Sequence, residues 1–195
     1  TDNTLNGILN EIRENRVSEK SIQELKDSSW TELAGKKEPT KLYTHNADVD
    51  QENFNCLDKL QVRSRAFEAK TKGNTKLVEG LKKSVLASSY LELKEGAKVM
   101  FVKNNFDKGY VNGSLGEIIS FNEEGIPVVQ LKTGMTITAD RETWAMEDDG
   151  GKALASYEQV PLRLAWAITI HKSQGVTLDE ATIDLSKTFE RGQGY

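Results

Sequence analysis

The chain has 195 residues, a net charge of −4 and a hydrophobic content of 37%. This length suits one large domain or two small ones, either with a substantial core. The mild acidity gives no global sign of a nucleic-acid binder, although a local basic face matters more than the total charge. The single cysteine, Cys56, excludes an internal disulfide framework and fits a reducing compartment. Together with only two histidines, it argues against a structural zinc site.

The N-terminal segment predicts two helices and no targeting signal. Apolar residues recur there at the spacing of an amphipathic helix: Leu5, Ile8, Leu9 and Ile12. Ser18 is predicted to cap a second helix, with Val17 and Ile22 as its hydrophobic staple and with Ile22 and Leu25 facing the core. The segment has no signal-peptide pattern. Because it also lacks an initiator methionine, a piece of a longer protein is expected.

A strand followed by a helix is predicted for residues 41–60, "KLYTHNADVDQENFNCLDKL". Leu42 and Tyr43 end the strand, and Asp48 can cap the helix. The helix has an apolar face made of Val49, Leu57 and Leu60. Three polar residues leave the carboxyl end of the strand, where open α/β sheets bind ligands: Thr44, His45 and Asn46.

The next segment, residues 63–83, is basic, with seven Lys or Arg against two Glu. Its two interpretations are a solvated surface, which we favour, and a patch that faces phosphates.

Residues 91–150 contain four or five short β-rich runs separated by glycines, which is typical of a small barrel. Asn112-Gly113 predicts a tight turn. Trp166, after the barrel, is expected in the core, and Trp144 and Phe106 are expected to pack, with base stacking as the alternative. Between residues 117 and 149, eight acidic residues face two basic ones, so this part of the barrel should not contact a phosphate backbone.

The last segment returns to α/β character. Residues 160–170, "VPLRLAWAITI", are long enough for one buried strand, and residues 181–186, "ATIDLS", form another. A polar cluster leaves the first strand: Thr169, His171, Lys172, Ser173, Gln174 and Gly175. These side chains, with free backbone N–H groups, can bind an anion such as a nucleic-acid backbone. The residues alone equally allow a polar loop in which Ser173 caps a helical turn.

Several catalytic motifs are absent from the sequence. It contains no G-x-x-x-x-G-K-[ST] phosphate loop, no G-x-S-x-G elbow and no H-E-x-x-H pair. We therefore expect that the chain is not a self-sufficient hydrolase.

Four stretches resemble superfamily-1 DNA helicases of the RecD and Pif type, and they occur in that family's order. "LAWAITIHKSQGVTLDEATIDLS" resembles the fifth conserved motif, and "KLYTHNADVDQENFNCLDKL" resembles an earlier strand and helix of the second motor domain. "LKEGAKVMFVKNNFDKGYVNGSLGEIISF" is similar to the start of the inserted SH3-like domain, and "FERGQGY" to the approach to the sixth motif.

The resemblance implies an α/β fold: a RecA-like domain with a P-loop NTPase-type sheet but no phosphate loop, interrupted by an SH3-like β-barrel. Residues 1–90 and 151–195 would form the second motor domain, and residues 91–150 the insertion. The motor arginines of the fourth and sixth motifs would lie just outside residues 1–195.

Residue roles follow from the same resemblance. The residues expected to contact single-stranded DNA are Thr169, His171, Lys172, Ser173, Thr44, His45 and Asn46. Those expected to lie near the nucleotide are Gln174, Gly175 and Gln193. The full-length enzyme would use ATP and Mg²⁺ and step 5′ to 3′, whereas this chain alone would be inactive and would bind neither cofactor.

The expected partners are single-stranded DNA and the first RecA-like motor domain of the same protein, with no membrane partner and a monomeric state. The location would be cytoplasmic in a prokaryote and nuclear or mitochondrial in a eukaryote. The alternative function is a non-catalytic module on a RecA-like scaffold that binds nucleic acid or protein.

Overall fold

A computed structural model describes residues 3–28, 39–173, 181–184 and 187. The helices are α1 (Asn3–Arg13), α2 (Glu19–Ser28), α3 (Asn46–Lys59), α4 (Thr75–Ser84) and α5 (Ile170–Ser173). The first strands are β1 (Thr40–Tyr43), β2 (Arg65–Glu68), β3 (Lys70–Gly73), β4 (Tyr90–Leu93), β5 (Lys98–Phe101) and β6 (Leu115–Phe121). The later strands are β7 (Pro127–Leu131), β8 (Thr136–Thr138), β9 (Glu142–Glu147), β10 (Ala153–Gln159), β11 (Leu162–Leu164), β12 (Ala167–Thr169) and β13 (Ala181–Ile183).

The two N-terminal helices are present, but the predicted core face of α2 is wrong. The Ser18 hydroxyl accepts a hydrogen bond from the backbone N–H of Ser21 at 3.2 Å, as a helix cap does. Val17, Ile22 and Leu25 are each about 40% exposed. An amphipathic pattern shows which side of a helix is apolar, but it does not show that another element covers that side.

Three parallel strands form a small sheet in the order β12-β1-β13. Leu42 of β1 lies opposite Ile168 on one side and Ile183 on the other. Because all three strands run the same way, the residues that follow them lie at one edge of the sheet. Helix α3 packs on β12 and β1, and it buries Val49 and Leu57 as the apolar pattern predicted.

Asp48 is not the cap of α3. The N-cap residue is His45, which makes no side-chain capping bond, and Asp48 lies in the first turn of the helix. There its carboxylate accepts a hydrogen bond from Lys187 Nζ at 2.5 Å.

The run "VPLRLAWAITI" is not one strand but two strands in different sheets. β11 pairs antiparallel with β5, whereas β12 pairs parallel with β1. Between them, Trp166 is partly buried and packs against the core, as expected. A continuous apolar run indicates that the whole segment is buried, but it does not show where the chain passes from one sheet to another. This is why one strand was predicted instead of two.

The largest sheet is antiparallel, with the order β11-β5-β6-β7-β8. Its inward side chains, among them Val99, Phe101, Ile118 and Val129, are fully buried in one core cluster. Asn112-Gly113 forms the predicted turn before β6: Gly113 has φ of 95°, and its N–H donates to the Phe101 carbonyl at 2.8 Å.

The basic segment contributes two strands and a helix that were not predicted individually. β2 pairs with β4, and β3 joins β10 and β9 in a three-stranded sheet. Gly73 ends β3 with φ of 102°, where a Cβ would lie 2.2 Å from the Leu154 carbonyl oxygen, so only glycine fits. All seven basic residues of the segment are exposed, which both interpretations of the segment require.

The two aromatic residues of uncertain role differ in their surroundings. Trp144 packs edge-on against Tyr157 with ring centroids 6.0 Å apart, as the packing interpretation expects. Phe106 is 78% exposed, so it does not pack in the core. Within the described residues, no helix is long and apolar enough to cross a membrane.

Candidate nucleic-acid interface

The structure brings the two predicted polar segments together at one edge of the parallel sheet. Tyr43 at the end of β1 lies opposite Thr169 at the end of β12. Residues 44–46 and 170–173 therefore leave the sheet side by side. The contact between them is direct: Lys172 Nζ donates a hydrogen bond to Asn46 Oδ1 at 3.2 Å.

A second contact links this edge to the chain beyond β13. The Thr44 hydroxyl lies 2.7 Å from His45 Nδ1 and 3.4 Å from the carbonyl oxygen of Lys187, to which it donates. Lys187 in turn pairs with Asp48 in α3. Segments that follow all three parallel strands thus contribute to one surface, which we call the strand-end edge (residues 44–46, 169–173 and 187).

The members of the strand-end edge differ in their access to solvent. His171 and Asn46 are exposed, and Thr44, His45, Lys172 and Ser173 are partly exposed. Thr169 is only 4% exposed, so solvent scarcely reaches its side chain. The Ser173 hydroxyl donates to the Ile170 carbonyl at 2.7 Å and so braces α5 from within, as the loop interpretation expected.

Two cations lie close together beside this edge. Burial lowers the pKa of Lys172, the positive charge of Arg163 lowers it further, and Asp50 opposes both effects. Burial also lowers the pKa of Arg163, again opposed by Asp50. A partly dehydrated pair of cations with one nearby carboxylate favours the approach of an anion.

Two residues that support the site were not predicted. Asn53 is buried in α3 and bridges the backbone of Ala167 in β12: its Nδ2 donates to the carbonyl at 2.9 Å, and its Oδ1 accepts from the N–H at 3.0 Å. Arg163 lies beside Lys172. Its signal in the sequence was a lone charge inside the apolar run "VPLRLAWAITI", and the signal of Asn53 was a polar residue on the buried face of α3.

The residues expected near a nucleotide, Gln174, Gly175 and Gln193, lie outside the described residues. In the described part of the chain, no group of three or more His, Cys, Asp or Glu is placed to hold a metal ion. The single thiol, Cys56, lies on α3, where burial raises its pKa and neighbouring Glu52 raises it further. In the described residues, the strand-end edge presents hydrogen-bond donors and cations.

Sequence comparisons point to one family of enzymes. Residues 76–121 match the family model described as the 2B domain of DNA helicase Pif1, a match that begins in α4. The ATP-dependent DNA helicase Pif1 of Psychrobacter sp. is 42% identical over 243 residues, a comparison that covers 98% of this chain and 37% of the relative. The chain thus spans little more than a third of that relative's length.

Solved structures give the same answer. Bacteroides sp. Pif1 in complex with ADP-AlF4 has a TM-score of 0.78 and 31% identity, covering 97% of this chain and 44% of that one. Bacteroides Pif1 bound to ssDNA has a TM-score of 0.71 and 32% identity, and the comparison covers 99% of this chain and 45% of that one. The fold is of the α/β, RecA-like type found in these helicases. With its ordered motifs, this likeness shows that the chain belongs to the Pif1-type family of superfamily-1 DNA helicases.

Proposed function

We propose that the strand-end edge binds the sugar–phosphate backbone of single-stranded DNA. The observation that carries the proposal is the convergence of two polar segments at one sheet edge, joined by the hydrogen bond from Lys172 to Asn46. The exposed donors, His171 among them, suit phosphate oxygens and need no base sequence. The similar Bacteroides Pif1 bound to ssDNA supports this choice of ligand.

Within this proposal the members of the edge have different roles. His171, Lys172, Thr44, His45 and Asn46 contact the strand directly. Thr169 is buried, so it holds the end of β12 in place, and Ser173 braces α5 through its bond to Ile170. Both still act at the DNA surface, but through the backbone that they position.

The chain would act as the second motor half of an ATP-dependent helicase. Residues 1–90 and 151–195 would form the RecA-like part, and residues 91–150 an SH3-like insertion. The parallel sheet β12-β1-β13 supports the first assignment. Strands β5 to β8 of the five-stranded antiparallel sheet support the second, while the edge strand β11 of that sheet comes from beyond residue 150.

The nucleotide side of this function rests on resemblance. Gln174, Gly175 and Gln193 would face ATP and Mg²⁺ in a cleft completed by a first motor domain, and the motor would step 5′ to 3′. The structure of a relative with ADP-AlF4 supports a nucleotide cofactor.

The DNA proposal is tested by titrating the chain into a fluorescent oligothymidine and following anisotropy. The double substitution His171→Ala and Lys172→Ala should weaken binding at least tenfold, since each side chain offers a charge-assisted bond to phosphate. It should also flatten the dependence of affinity on salt, because fewer counterions are released.

The matched control is Lys152→Ala, which removes an exposed lysine near the start of β10. We expect that it leaves both the affinity and its salt dependence unchanged. Equal binding by the wild type and the double variant would contradict the proposed interface.

A further inference from the structure

A polar cavity lies next to the strand-end edge and is not explained by the roles given above. It has a volume of about 310 Å³, and its polar lining residues are Asp50, Lys82, Ser88, Ser89, Arg163 and Lys172. Lys172 belongs both to this cavity and to the edge, where it donates to Asn46. The two features are therefore continuous.

The charge of the cavity is not balanced by its own residues. Three cations and one carboxylate line it, and Lys82 is also paired with Glu79 on the outer surface. Among the described residues, the buried Nε of Arg163 has no hydrogen-bond partner. A buried donor of a charged group without an acceptor costs stability, so this arrangement favours an anion with oxygen acceptors.

Residues 87–89, which line part of the cavity, are held by three hydrogen bonds to their backbone carbonyls. The carbonyl of Ala87 accepts from the Tyr157 hydroxyl at 3.0 Å, and the carbonyl of Ser88 accepts from Gln159 Nε2 at 2.9 Å. The Ser89 carbonyl accepts from the N–H of Ala69 at 2.8 Å. These bonds fix the segment in place, so the cavity is shaped before any ligand enters.

We infer that this cavity is a subsite for one phosphate of the bound strand, in which Arg163 and Lys172 hold the phosphate oxygens. The inference rests on the proposed function, because the strand that crosses the edge at Asn46 and Lys172 would supply this phosphate. A phosphodiester is the occupant that continuity with the edge favours. A free phosphate monoester offers the same oxygens, so the experiment must separate the two.

The test measures binding of the 195-residue chain to oligothymidine by anisotropy over a series of salt concentrations. Arg163→Gln should weaken binding about tenfold. This is near the smallest loss of affinity expected when one hydrogen bond to a charged group is removed. It should also reduce the slope of log affinity against log salt by about 0.7, the contribution of one phosphate on a single strand. Arg163→Lys, which keeps the charge, should restore most of the slope.

The matched control is Arg16→Gln, which removes an exposed arginine that does not line the cavity and should change neither quantity. Circular dichroism of each variant shows whether the fold is kept. If Arg163→Gln does not fold, Arg163→Met is compared with the charge-retaining Arg163→Lys. The inference then predicts that the slope of log affinity against log salt falls by about 0.7 in the Met variant.

Two results would overturn the inference while leaving the proposed function intact. One is an unchanged slope in Arg163→Gln when the edge variant of His171 and Lys172 still loses affinity. The other is that inorganic phosphate binds the wild type but not Arg163→Gln, while the two proteins have the same affinity for oligothymidine. If the wild type does not bind oligothymidine at all, the proposed function fails first, and the phosphodiester subsite fails with it.

Discussion

At the scale of single residues, Asn53 shows how one side chain can replace a strand. In the described three-stranded sheet, β12 lies at one side, and the outward N–H and carbonyl of Ala167 have no strand beside them. The Asn53 amide satisfies both groups from α3, with bonds of 3.0 and 2.9 Å. The end of β12, which carries Thr169 and leads into α5 with His171, is thereby fixed to α3, the helix that begins at Asn46.

Replacing Asn53 with Ala should therefore destabilise the chain strongly. Two buried backbone groups would lose their partner, and each costs roughly 1–3 kcal/mol, so we expect the free energy of unfolding to fall by at least about 2 kcal/mol. Urea unfolding followed by circular dichroism measures this change. Asn55→Ala is the control: Asn55 is exposed on the same helix, and its side-chain oxygen accepts from Gln51 Nε2, so its loss should cost less than about 0.5 kcal/mol. Equal effects of the two substitutions would show that the bridge to β12 is not important.

At the scale of elements, the connection between β5 and β6 is organised around one carboxylate. Glu142 accepts hydrogen bonds from Asn105 Nδ2 at 2.7 Å, Tyr110 Oη at 3.0 Å and Lys103 Nζ at 3.2 Å. Burial would raise the pKa of Glu142, but these bonds outweigh burial and lower it below its ordinary value of 4.5. Burial and the bond to Glu142 also raise the pKa of Tyr110 far above its usual range. The long connection that exposes Phe106 is thus tied to Glu142 at three of its residues.

The lowered pKa of Glu142 predicts a pH dependence of stability. A carboxyl whose pKa is lower in the folded state stabilises the fold above its unfolded pKa, and this contribution is lost as the pH falls through the folded value. Glu142→Gln should cost about 2 kcal/mol at neutral pH, and the difference from the wild type should shrink below pH 4.5. Urea unfolding at a series of pH values measures both. The exposed Glu124→Gln is the control and should show no such difference, and a gap between Glu142→Gln and the wild type that stays constant with pH would contradict the prediction.

At the scale of the whole molecule, the chain combines a candidate DNA surface with a sequence that has no phosphate loop. We therefore expect that the 195-residue chain binds oligothymidine but shows no hydrolysis of ATP stimulated by single-stranded DNA. A coupled assay of released phosphate, with a full-length Pif1-type helicase as positive control, measures this. Strong hydrolysis of ATP stimulated by single-stranded DNA would contradict the prediction that this chain lacks the catalytic half. Absence of both hydrolysis and DNA binding would favour a protein-interaction module.

The sequence predicted most residues of the strand-end edge but missed Arg163 beside it. Thr44, His45 and Asn46 were assigned to a strand end, and His171 and Lys172 to another, because polar residues directly after a buried apolar run are a local feature. The resemblance implied that both segments contact single-stranded DNA, but not that they touch each other, and the structure brings Lys172 to Asn46. Arg163 was missed, since a single charge in an apolar run does not show which neighbours will surround it.

By itself, the sequence determined the helices α1 to α3, the turn at Asn112-Gly113 and the polar character of the strand ends. Each of these depends on residues close together in the chain, through helical periodicity, capping or backbone conformation. Only the tertiary structure decided that "VPLRLAWAITI" divides between two sheets, that Ile22 and Leu25 are exposed, and that Arg163 and Lys172 share a cavity. Strand partners and the lining of the cavity depend on groups that lie far apart in the chain: Asn53 and Ala167 are 114 residues apart, and Arg163 shares the cavity with Asp50 and Lys82. A local sequence pattern contains no information on such contacts.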